Sequence, residues 1–189
     1  MNKYTIIIKN WFGYAAVITL LCGIIYIVGQ QGFRQSADDP QYQMAEDAAN
    51  AISKGADPKL LGAAPMDISE TLSPYIIIYD KVGNAVVNGA ILNGKPLKIP
   101  QGVLDYIQTH GADHATWQPV PGVRQAMVGM RSNATGKSYT VIAGRSLRKI
   151  EERIGNLGEQ VAFGWAMSLL AILVVVTLQE YAVKRWSLE

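Results

Sequence analysis

The sequence predicts an α+β protein: a five-stranded antiparallel sheet carrying helices, flanked by two transmembrane helices. Three observations support this expectation. Two uncharged apolar runs lie near the chain ends. Between them, short stretches rich in β-branched and aromatic residues are bounded by turn residues. Interleaved with those are segments whose apolar residues recur at helical spacing.

The first apolar run is Trp11 to Gly29. As a helix it covers roughly 28 Å, close to the ~30 Å hydrocarbon core of a bilayer. Trp11, Tyr14 and Tyr26 lie toward its ends, where aromatic rings favour the interface. No A-x-A-like cleavage site follows it, so it reads as an uncleaved signal anchor. The second run, Val161 to Leu178, spans about 27 Å. Lys3 and Lys9 precede the first run, and Lys184 and Arg185 follow the second. Short basic flanks at both ends place both termini in the cytoplasm. The expected organisation is a cytoplasmic N-terminus (1–10), a first span (11–29), an extracytoplasmic domain (30–160), a second span (161–178) and a cytoplasmic tail (179–189), all in a cell membrane. Small residues at four-residue spacing, Ala15, Thr19 and Gly23 with Gly164 and Ser168, suggest a packing face between the spans. Cys22, the one cysteine, falls inside the first run, so the outer domain folds without an internal disulfide.

In the outer domain, Asp39-Pro40 predicts a helix start. Ala45, Ala48, Ala49 and Ile52 give that helix one apolar face, and Gly55 stops it. A second short helical piece begins at Pro58. Strands are expected at 74–80, 85–92, 114–118, 122–131 and 138–145. A helix from Pro100 to His110, closed by Gly111, separates the second from the third. After the last strand, Leu147, Ile150, Ile154, Leu157 and Val161 follow heptad spacing. That stripe serves either dimerisation or the packing of an ordinary amphipathic helix on its own domain.

Tyr75-Ile-Ile-Ile-Tyr-Asp-Lys-Val-Gly-Asn84, a strand ending in D-x-x-G-N, and the closing Ala143-Gly-Arg-Ser-Leu147 resemble the single Cache domain. That domain is the PAS-like extracytoplasmic sensor of bacterial histidine kinases and chemoreceptors. The resemblance covers roughly residues 35–155. It implies a small ligand, such as a carboxylate or amino acid, bound between sheet and helices, and a signal passed through the terminal helices. That family usually continues into an output domain. Here eleven residues follow Leu178, so output is expected through a partner membrane or signalling protein. The alternatives are a non-enzymatic interaction subunit or the sensory part of a longer kinase, with Leu188-Glu189 a cloning scar.

Five residues are candidates for the ligand site. Arg124 shares a strand face with Ala126, Val128 and Met130, where a guanidinium can clamp a carboxylate; the alternative is a surface arginine beside Gly122. Tyr75 and Tyr79 share a face with Ile77, Tyr139 shares one with Val141, and Trp117 sits nearby in sequence. Each lines a pocket or packs in the core. Metal binding by His110, Asp113 and His114 is not expected, because Gly111 ends the helix between the histidines. Asn133-Ala134-Thr135 matches the glycosylation sequon, which means little in the bacterial setting that the resemblance implies. No phosphate loop, nucleophile elbow or metal motif occurs, so neither an enzyme nor a cofactor is expected. A net charge of +2 without a basic block excludes a nucleic-acid partner.

Overall fold

The computed structural model describes residues 3–134 and 136–186. Thr135 of the sequon and Leu188-Glu189 lie outside them, as do the side chains of Lys3, Lys184 and Arg185. The chain forms two compact units, one of residues up to Phe33 and from Glu152 onward, the other Arg34–Glu151.

The first unit is a pair of helices, α1 (Lys3–Gln35) and most of α4 (Arg148–Trp186), each long and apolar enough to cross a membrane. Both run past the apolar stretches seen in the sequence, because side-chain polarity ends a span without ending backbone hydrogen bonding. Gly155 and Gly158 leave α4 unbroken. The two helices touch along a defined seam. The Trp11 indole N–H donates to the Leu169 carbonyl at 3.1 Å, and the Trp165 indole N–H donates to Thr19 Oγ1 at 2.9 Å. Gly29 lies under Leu157, where an added Cβ would stand 2.6 Å from Leu157 Cδ2, and Gly158 faces the Tyr26 ring. The expected small-residue face is therefore displaced: Thr19 belongs to it, but Gly164 has open space around its Cβ position, and Gly29 and Gly158 make the close approaches. Leu157 and Val161 of the heptad stripe face α1 of the same chain.

The second unit is the α+β domain. Its five-stranded antiparallel sheet has the order β3-β2-β8-β7-β6. The strands are β2 (Tyr75–Asp80), β3 (Ala85–Asn88), β6 (Ala112–Val120), β7 (Val123–Ala134) and β8 (Lys137–Ser146). Helix α2 (Asp39–Ser53) covers one face and α3 (Gln101–His110) the other. The N-cap of α2 is Asp38, one residue before the expected Asp39. The return strand expected over 85–92 is two strands, broken at Gly89. There the Gly89 N–H donates to the Ile76 carbonyl, and a Cβ would stand 2.8 Å from that oxygen. Beyond the break, β4 (Ala90–Leu92) joins a small sheet with the two-residue strands β1 (Met66–Asp67) and β5 (Lys95–Pro96). Asn93 and Gly94, both at positive φ, turn β4 into β5 as a two-residue hairpin.

The D-x-x-G-N sequence closes the β2–β3 hairpin. One Asp80 carboxylate oxygen accepts the backbone N–H groups of Val82 and Asn84 at 3.0 and 2.8 Å, and the other accepts the Asn84 amide at 3.2 Å. The Asn84 backbone N–H, foremost among these donors, holds the Asp80 carboxyl below its usual pKa. A depressed carboxyl pKa contributes stability that is full above the unfolded value and fades as pH falls through the folded one. Asp80→Ala is expected to cost about 1 kcal/mol at neutral pH. In urea titrations its deficit should shrink below the ordinary carboxylate value of 3.8. In the helix pair, Gly29→Cys combined with Leu157→Cys, in a Cys22→Ser background, should cross-link α1 to α4 within one chain under mild oxidation. Products running only at twice the chain mass would contradict the seam.

Candidate functional site

Successive strand residues point to opposite faces, and this decides which candidates meet. Tyr75, Ile77 and Tyr79 point toward α3, in one cluster with Ile142, Met127 and Trp117. Ile76, Ile78, Val128, Val141, Ala143 and Tyr139 point toward α2. The five sequence candidates therefore do not form one site. Tyr75, Tyr79 and Trp117 share the α3 side. Tyr139 and Arg124 take the other side, at opposite ends of the β7–β8 ladder, since Gln125 pairs with Ser146 while Ser132 pairs with Tyr139. Arg124 is exposed and forms an ion pair with Glu151 in the first turn of α4. Tyr139 lines a hollow of about 220 Å³ between two turns, with Asp80, Lys81 and Lys137. His110 stacks on Tyr106, with centroids 4.0 Å apart, and His114 lies exposed on the edge strand β6.

On the α3 side the two tyrosines differ. The Tyr79 hydroxyl accepts the Ile99 backbone N–H at 3.2 Å, so it closes a core hydrogen bond. Tyr75 is 2% exposed and its hydroxyl has no hydrogen-bond partner. Its ring crosses β8 directly above Gly144, the one residue type that leaves it room. Burial pushes the Tyr75 phenol well above its ordinary pKa, so it stays neutral. The Trp117 indole lies close enough to favour the ionised phenol, yet the geometry closes no hydrogen bond and Trp117 Nε1 is also unpartnered. Gln125, fully buried and paired in register with Trp117, donates Nε2–H to the Ile68 carbonyl at 3.3 Å, while its Oε1 has no partner. Three polar atoms without a hydrogen-bond partner thus lie on one side of the sheet, in or beside a mainly apolar cluster. Gln125 was legible in the sequence: alternation puts it on the face of Met127 and Gly129, a polar residue among apolar ones.

A groove of about 580 Å³ lies beside α2. Met44, Ala48, Ala51, Leu61, Met66 and Ile76 give it an apolar wall, and Tyr75, Gln43 and Asp47 stand among its lining residues. This volume is within the range of small-molecule sites. Asp47 is its one charged lining residue. Sequence reasoning missed the groove because its walls come from α2, the segment 61–66 and the break at Gly89, which are distant in the chain.

No family model matches the chain, and a search of curated proteins returns no match.

The contrast between the two tyrosines is testable. Tyr79→Phe strands the buried Ile99 N–H and should cost about 1–3 kcal/mol. Tyr75→Phe removes an unpartnered hydroxyl and should leave stability unchanged or raise it. Gly144→Ala drives a Cβ into the Tyr75 ring and should cost about 1–3 kcal/mol. Chemical denaturation of the three variants checks the order; equal losses for both tyrosines would contradict it.

Proposed function

We propose that this chain is a membrane-anchored sensor module. Its α+β domain lies outside the cytoplasm, binds a small molecule beside α2, and signals through its terminal helices to a partner protein. The observation that carries the reading is the groove of about 580 Å³, walled by apolar residues at the edge of a domain whose two ends lead into candidate spans. The basic flanks Lys3 and Lys9, with Lys184 and Arg185, support cytoplasmic termini. The resemblance to Cache sensors points the same way.

The lining favours one ligand class. Arg124 does not line the groove, and Asp47 is its charged group. A carboxylate would meet repulsion there without a compensating cation. The ligand that fits has an apolar body and a donor or cationic end directed at Asp47 and Gln43. Two methionines, Met44 and Met66, give the wall an adaptable surface.

An interaction subunit is the second reading. It is favoured by β6, a nine-residue edge strand whose outer backbone groups pair with no other strand among the described residues.

Two measurements test the proposal on the full chain in lipid nanodiscs and in intact cells. A panel of amphipathic amines should contain compounds that raise the melting temperature. Ala51→Leu, which fills the groove, and Asp47→Asn should abolish or weaken that shift. In a Cys22→Ser background, a membrane-impermeant maleimide should label Lys59→Cys and spare Lys9→Cys. A panel without any shift, shifts indifferent to Ala51→Leu, or the reverse labelling pattern would reject the sensor reading. A stoichiometric protein partner lost on mutation of β6, without small-molecule binding, would favour the second.

A further inference from the structure

One surface segment, Met66 to Pro74, touches three features at once. Its two end residues, Met66 and Pro74, line the groove. In its middle, the Ile68 carbonyl accepts from buried Gln125 at 3.3 Å, beside the unpartnered Trp117 and Tyr75. At its outer edge, two arginines from the β8–α4 junction hold its backbone. Arg148, the first residue of α4, donates Nη1–H to the Ser69 carbonyl at 3.2 Å and Nη2–H to the Glu70 carbonyl at 2.9 Å. Arg145 donates Nε–H to the Leu72 carbonyl at 3.1 Å.

The segment is stiff between these contacts. Asp67 Oδ1 accepts both the backbone N–H and the hydroxyl of Ser69, at 2.9 and 2.6 Å, and the Asp67 carbonyl accepts the Thr71 N–H at 2.9 Å. These bonds connect the groove end of the segment to the Ser69 and Glu70 carbonyls that Arg148 holds. The planar guanidinium of Arg148 reads two successive carbonyls, so it registers the orientation of the segment as well as its distance.

We infer that the Met66–Pro74 segment is the coupling element that links the groove and the buried Gln125 to the first turn of α4, with Arg148 as its positioning residue. This inference rests on the groove reading for its physiological input. In the arrangement seen, Arg148 holds the segment while Tyr75, Trp117 and Gln125 keep unpartnered atoms. Occupation of the groove, which bears on Met66 and Pro74, shifts the segment against the Arg148 grip on the Ser69 and Glu70 carbonyls.

Hydrogen–deuterium exchange on the full chain in nanodiscs, without added ligand, tests the coupling. In the wild type, amides at 67–72 and in the first turn of α4 should share one opening equilibrium. Arg148→Gln should raise exchange at least about tenfold in residues 67–72 as well as in the α4 turn. Gln125→Met should change exchange in the α4 turn, and Asp67→Ala should remove that long-range effect. An Arg148→Gln effect confined to α4, or wild-type segments opening with unrelated protection, would overturn the inference. Should Gln125→Met fail to fold, the wild-type and Arg148→Gln measurements decide alone. Because no ligand enters these measurements, their failure is distinct from failure of the amine panel.

Discussion

The pleat of the central strands is the constraint on which the rest of the domain depends. β2, β8 and β7 each bury both faces, so every residue step along them exchanges the α2 side for the α3 side. Ile77 and Ile142 are register partners under α3, and Ile78 and Val141 are partners under α2. A slip of one residue would interchange the two cores. The two covers hold the register in place with polar contacts at fixed positions. Ser132 donates its hydroxyl to the Ala49 carbonyl of α2, and Gln108 of α3 donates to Thr140 Oγ1 and accepts from the Ser138 hydroxyl.

The same constraint explains how much was legible in the sequence. Elements with a strong period emerged from it close to their observed bounds: α2 from its alanine stripe, α3 between Pro100 and Gly111, and β2 from its run of isoleucines. Face assignments along single strands also emerged, since alternation needs no partner. What the sequence could not supply was the relation between strands. Tyr139 and Tyr79 both look like pocket tyrosines until the β2–β8 register sends them to opposite faces. Nor could the sequence show that α4 brings Glu151, 27 residues later, against Arg124. The two-residue strands β1 and β5 carry too little pattern to be read, and they exist because the break at Gly89 offers β4 new neighbours.

The motif that carried the family resemblance has a structural occupation. Asp80 spends both carboxylate oxygens on the turn, and Gly83 supplies the positive φ that the turn requires. Such a motif transmits fold but says nothing of ligand. Side chains free of such duties on the α2 side include Gln43 and Asp47, both exposed on a helix held from its opposite flank by Ala45, Ala49 and Ile52. A helix anchored by small buried residues can vary its outer row without disturbing the sheet.

Magnitudes decide whether a small molecule can move the Met66–Pro74 segment. Arg148 is exposed, so its two hydrogen bonds to carbonyls compete with water and stabilise the arrangement by about 1 kcal/mol each at most. A grip of about 2 kcal/mol in total is small enough for two arrangements of the segment to lie within a few kcal/mol of each other. A ligand of micromolar affinity binds with about −8 kcal/mol. Expressing even a quarter of that as preference for one arrangement changes the populations by more than tenfold, on the order of 30-fold. A segment held by a buried ion pair would need far more, and one without the Arg148 contacts would have nothing to release. An exposed arginine grip of this size lies within reach of ordinary small-molecule binding.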